Sequence, residues 1–206
     1  MSNGHGTQVK KRNGSVEQLN LEKIHKVVEE ACEGLGGGVS SSQVEMNSGI
    51  QLYDGITTDE IQEILIRSAS DLISLETPNY QFVAARLLLY GLKKQVFADV
   101  WANGHPPVLE HVRRCVERGV YDAGIIDKYN ASEWETIESF VDHERDYLFT
   151  YAGIRQVADK YLVQDRSSGE VYETPQFMYI MIATTLFQDY PKDTRLDYVR
   201  RYYEAT

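Results

Sequence analysis

The 206-residue sequence is poor in cysteine: only Cys32 and Cys115 are present, far apart. That excludes a disulfide framework and a zinc site, both of which need closely spaced ligands. It lacks any apolar run long enough to span a bilayer, so no membrane partner is expected. The opening stretch MSNGHGTQVKKR has no apolar segment of a secretory leader, which points to the cytoplasm. Positive charge is scarce as well, with 21 Lys and Arg against 31 Asp and Glu and a net charge of −10. A chain of that sign does not displace counterions from nucleic acid, so no nucleic-acid partner is expected. What is present is ordinary globular composition, 42% hydrophobic and 25% charged, enough for one or two domains with a buried core.

Against that acidic balance, three consecutive cations stand near the front, Lys10, Lys11 and Arg12. Asn13-Gly14 separates Val9–Arg12 from Val16–Leu19, and Asn-Gly between two short runs predicts a hairpin with a two-residue turn. Alternation then puts Val9 and Lys11 on one face and Lys10 and Arg12 on the other. Asn20 is a good N-cap for a first helix carrying Leu21, Ile24, Val27, Val28 and Ala31, stopped by Gly34. Lys23 falls in its first turn, where the helix dipole disfavours a cation. Either a bound phosphate reverses that sign, with free N–H groups and the hairpin cations converging on it, or Lys23 reaches solvent or pairs with Glu22 or Glu17.

A second helix starts near Ser41 with Val44 and Ile50 inward, and a third opens on the capping box Thr57-x-x-Glu60, with Ile61, Ile64, Leu65, Ser68 and Leu72 as its stripe. Pro78 opens a fourth, from Asn79 to about Phe97, with Gly91 on its inner face. The expected fold is mainly α, an α+β arrangement of four helices and a small β-hairpin lid, followed by a mostly helical domain with one hairpin. Other glycine-rich stretches carry no phosphate site: GHGTQVK lacks the strand and the Gly-Lys-Ser/Thr ending of a P-loop, and GLGGG follows a helix.

The segments VKKRNGSVEQLNLEKI, YDGITTDEIQEILIRSASDLIS and PNYQFVAARLLLYGLKK resemble the ATP-cone domain of the large (alpha) subunit of class I ribonucleotide reductase. The stretch DHERDYLFTYAGIRQVADKYLVQDRSSGEVYETPQFMYIMIATTLF resembles the N-terminal helical region of the same subunit, before its catalytic barrel. The resemblance implies a nucleotide site for ATP or dATP, with Mg2+ on the triphosphate. Val9, Lys11 and Arg12 would line the lid, followed by Glu17, Asn20, Lys23 and Ile24, then Thr58, and Tyr90 and Lys94 on the fourth helix. Where well-known bacterial members have a histidine one turn after the matching threonine, this sequence has Gln62. The expectation is that nucleotide binding survives while inhibition by dATP is weakened or absent.

The family's radical chemistry needs at least five thiols, so no catalytic residue is assigned in this chain, and its two cysteines read as small buried hydrophobes. The resemblance implies partners: the remainder of the large subunit, as a separate chain or a missing segment, a small radical-generating subunit, and a homo-oligomeric assembly through the full large subunit. A split subunit is favoured, with Leu196, Val199 and Tyr203 of the last helix offered to the missing part. A free-standing nucleotide sensor without catalysis is the alternative, as is a degenerate cone that only bridges subunits.

The expected organisation is a disordered tail at 1–7, a regulatory cone at 8–98, a Gly/Pro-containing linker at 99–107 and a helical region at 108–206. Within the last, helices are predicted from Val108 to about Arg118, after a cap at Ser132, from Arg145 through Lys160, and after Thr174-Pro175, with a hairpin turned at Ser168-Gly169. Glu133, Glu135 and Glu138 read as a solvated face, and His143 as a packing or surface residue.

Overall fold

A computed structural model describes residues 7–97 and 104–206. The expected tail, apart from Thr7, and most of the expected linker lie outside the described residues. The chain divides into two compact units, one running to Gly91 and including Tyr147–Gln156, the other made of Leu92–Asp146 and Val157–Thr206. This division falls inside a helix, after Gly91. Contacts between 147–156 and the rest of the first unit include the Arg86 guanidinium, 5.8 Å from the centre of the Tyr147 ring, and the pairing of Arg155 with Glu63 at 3.2 Å.

In the first unit, β1 (Gln8–Lys10) pairs antiparallel with β2 (Val16–Gln18) and parallel with β3 (Ile56–Thr57), giving the order β2-β1-β3. The third strand has no counterpart in the expected two-stranded lid, because two residues are too few to show a period. The turn also differs from the two-residue form. Lys11 N–H donates to the Ser15 carbonyl and Gly14 N–H to the Lys11 carbonyl, so the loop is a type I turn closed by a left-handed glycine at φ +82°. The Asn13 carboxamide accepts from both Ser15 N–H and Ser15 O–H, and Asn13 keeps a negative φ that a two-residue turn would not allow.

Helices α1 (Leu21–Cys32), α2 (Ser41–Gly49), α3 (Thr58–Ser70) and α4 (Tyr80–Val96) follow. Asn20 Oδ1 accepts from Lys23 N–H at 3.1 Å, capping α1. Val44 and Ser48 of α2 are buried, whereas Ile50 is 84% exposed. Four positions on from Val44 is the same side of a helix; six positions on is not. The capping box of α3 is formed: Thr57 Oγ1 accepts from Glu60 N–H, and Glu60 Oε2 from Thr57 N–H. Glu60 Oε1 takes a further bond from the Tyr53 hydroxyl. Helices α3 and α4 are joined by Gln62, whose Nε2 donates to the Leu87 carbonyl at 2.6 Å. The missing side chain of Gly91 makes the room, since a Cβ there would lie 2.9 Å from Gln62 Cγ.

The second unit contains α5 (Val108–Glu117), α6 (Gly124–Lys128), α7 (Ala131–Phe140), most of a 3₁₀ segment at His143–Leu148, the end of α8 (Tyr151–Lys160), the hairpin β4–β5 (Gln164–Asp165 and Glu170–Val171), α9 (Pro175–Phe187) and α10 (Arg195–Ala205). The expected single helix from Arg145 to Lys160 is broken at Phe149-Thr150, where Thr150 Oγ1 accepts from Gly153 N–H and restarts it. Asn130, not Ser132, caps α7: it forms a capping box with Glu133, and Ser132 Oγ donates to Asn130. Glu133 is not solvated either. It is 7% exposed and accepts a bidentate pair from Arg195 at 2.7 and 2.6 Å, with the guanidinium also lying over the Tyr129 ring. Val199 and Tyr203 are fully buried and Leu196 packs on the same core, so the stripe expected to face a partner is satisfied within the unit. Among the described residues, no helix is long and apolar enough to cross a membrane.

Burial pushes the thiols of half-buried Cys32 and buried Cys115 up to about 11. It pushes three histidines of the second unit down, His105 to about 4 and His111 and His143 to about 3. His105 and His143 stack at 3.8 Å, and His143 and His111 pack against Phe177. A base whose folded value is depressed contributes stability that is complete above its unfolded value and is lost as pH falls through it. Three groups act oppositely: exposed His25, raised by its bond to Glu45 and by the charge of Glu29, buried Asp146, raised to about 6 by burial, and buried Glu173, also raised by burial.

The three histidines carry the large shifts that begin to act below their unfolded value, so the melting temperature is expected to fall between pH 7 and pH 5. His143→Phe, which keeps the stacking, flattens that slope; a melting temperature that is constant or rises on acidification would contradict the assignment. At the α3–α4 contact, Gly91→Ala is expected to destabilise by about 1–3 kcal/mol through overpacking. The penalty largely disappears in the Gln62→Ala background, and a double-mutant cycle by urea denaturation measures that coupling.

Candidate functional site

Strand β1 carries the cations into register. Val9 is buried opposite Glu17 on one side and Ile56 on the other, which leaves Lys11 and Arg12 at the start of the turn. Lys11 Nζ lies 2.6 Å from Glu17 Oε2, and Lys23 Nζ lies 3.7 Å from Glu17 Oε1. One carboxylate thus bridges the hairpin and the first turn of α1, and Lys11, with Lys23 behind it, holds the Glu17 carboxyl below its ordinary range. Asn20 is occupied as the α1 cap, and Ile24, half-buried, stands one turn on.

A second group stands on α3 and α4. Thr58 is the first residue of α3, and Gln62, one turn further, reaches across to the Leu87 carbonyl of α4. Tyr90 lies one turn beyond Leu87 on that helix and is half-buried. Arg12 joins the two groups: its Nε donates to Asp59 Oδ1 at 2.6 Å, next to Thr58. Lys94 is exposed on the part of α4 that belongs to the second unit, so it is not among the residues brought together here.

Sequence reasoning missed Asp59. An acid in the first turn of a helix is an ordinary dipole partner, and only the parallel β1–β3 pairing places it against Arg12. The local outcome of the Lys23 question is pairing with Glu17. These pairs are exposed and individually weak, so the cations are held in place without being buried. Among the described residues, no group of three or more His, Cys, Asp or Glu could hold a metal ion.

Comparison with known proteins places these elements. Residues 7–95 match the ATP cone domain family, and residues 147–206 match the ribonucleotide reductase all-alpha domain family. The chain is 48% identical over 201 residues to the ribonucleoside-diphosphate reductase subunit alpha of Haemophilus influenzae, covering 96% of this chain and 26% of that protein. It is 48% identical over 198 residues to the reductase 1 subunit alpha of Escherichia coli K12, and 42% identical over 197 residues to the alpha subunit of Enterobacteria phage T4. Both matches span 25% of the relative and 96% and 95% of this chain. The chain thus spans about a quarter of the length of the curated relatives it matches. It carries matches to an ATP cone domain and to the ribonucleotide reductase all-alpha domain, and over nearly its whole length it is similar to about a quarter of the length of the ribonucleoside-diphosphate reductase alpha subunits, consistent with their N-terminal part.

Proposed function

We propose that this chain is the allosteric nucleotide-binding part of a ribonucleoside-diphosphate reductase alpha subunit, binding ATP or dATP in its cone. The observation that carries the reading is the pair of lysines, Lys11 and Lys23, gathered on one carboxylate at the N-terminus of α1. Free N–H groups and the positive end of the dipole add to that field, which suits a polyphosphate. On nucleotide binding the two lysines and Arg12 turn from Glu17 and Asp59 to the phosphates, with Val9, Asn20 and Ile24 beside the nucleoside and Thr58, Gln62 and Tyr90 opposite. Mg2+ arrives bound to the triphosphate oxygens.

On the same reading, reduction of ribonucleotides takes place only with the polypeptide that corresponds to the rest of the relatives, which would carry the reactive thiols, and with the small radical-generating subunit. The full subunit would form homo-oligomers in the cytoplasm. The free-standing sensor is the weaker reading, because the all-alpha match at 147–206 is to a reductase domain.

Titration calorimetry is expected to give micromolar binding of ATP and dATP to the purified chain, and Lys23→Ala is expected to weaken it at least tenfold. Failure of the wild-type chain to bind either nucleotide overturns the reading. Gln62 is already committed to the Leu87 carbonyl, so in an assay reconstituted with the complementary polypeptides, dATP is expected to leave activity largely intact. Ordinary shut-off by dATP would refute that role for Gln62.

A further inference from the structure

Helix α9 is out of balance with its surroundings. Its sequence, PQFMYIMIATTLF, contains no charged residue, and a helix apolar all round is normally covered on every side. Yet Ile182 is 40% and Leu186 54% exposed. Together with Met178 they repeat every fourth residue, so the three lie on one face of the helix. That face forms a wall of a groove of about 680 Å³ that also takes in Met181 and Ile125. At its polar end the Tyr121 hydroxyl donates to Glu173, which also accepts from Val163 N–H; the buried carboxylate is therefore satisfied and needs no ligand. Met178 and Met181, set among Ile182, Thr185 and Leu186 on the helix, give a surface that adapts to a packed partner, with Lys128 and Gln188 also lining the groove.

One property argues against a second copy as the occupant: the chain carries a net charge of −10, which opposes self-association. The relatives supply a different candidate: they are about four times as long as the stretch they share with this chain.

We infer that the α9 groove is the docking surface for the polypeptide corresponding to the remaining three quarters of a reductase alpha subunit, which inserts apolar side chains between α9 and Ile125. The inference rests on the reading above, in which this chain works with that polypeptide, and adds where the two meet.

The test uses the full 206-residue chain and a polypeptide covering the part of the Escherichia coli alpha subunit outside the match. Affinity is measured by interferometry and self-association by sedimentation. Ile182→Glu and Leu186→Glu are exposed and should melt as the wild type does. Each is expected to weaken the complex at least tenfold, while Leu75→Glu, on an exposed residue of the first unit, leaves it unchanged. A complex indifferent to the two groove variants, or equally sensitive to Leu75→Glu, overturns the inference. So does self-association of the chain that Ile182→Glu abolishes, which assigns the groove to a second copy. If the wild-type chain forms no complex, the partnership itself fails, whereas nucleotide titration of the chain alone reports on the cone independently.

Discussion

Strand β1 is three residues long and is hydrogen-bonded along both edges, and the arrangement of the first unit's functional groups depends on that double use. Its antiparallel edge fixes β2, and with it Glu17 and the entry into α1. Its parallel edge fixes β3, and with it the start of α3, so that Arg12 reaches Asp59 across 47 positions of sequence. A short strand holds such a position only if one face is anchored. Buried Val9, flanked by fully buried Ile56, is that anchor, and a register slip of one residue would turn Lys10 inward and Val9 out.

The second unit is organised by a different kind of constraint. The Arg195–Glu133 pair is almost wholly removed from water, and both partners have further tasks: Glu133 completes the α7 capping box, while Arg195 donates to the Gln188 carbonyl at the end of α9 and covers Tyr129. Such a pair adds little net stability over an apolar replacement but strongly penalises any arrangement that separates its members. It therefore acts on the choice of structure, fixing how α7, α9 and α10 come together.

What was legible in the sequence was whatever local rules govern. Asn20, Thr57 with Glu60, and Thr174-Pro175 announced their helices because caps are written in adjacent residues. The positions that escaped are set by distant partners. Glu133 looks like any exposed helix acid until Arg195, 62 residues on, folds against it. Strand β3 is too short to show a period, and Asn13-Gly14 signals a turn without revealing that Ser15 draws the Asn13 side chain into the looser form. The candidate site residues were named in the sequence only through resemblance, and the bridge from Arg12 to Asp59 and the commitment of Gln62 to α4 are tertiary facts that no local rule announces.

The two cysteines have a chemical consequence beyond their place in the packing. With both thiols pushed up to about 11 by burial, fewer than about one in a thousand is ionised at neutral pH, and only the thiolate attacks oxidants, alkylators or other disulfides. Peroxide and air should leave the two thiols of the folded chain unmodified and uncrosslinked. The sulfur of this chain therefore stays out of thiol–disulfide exchange at neutral pH for as long as the fold holds.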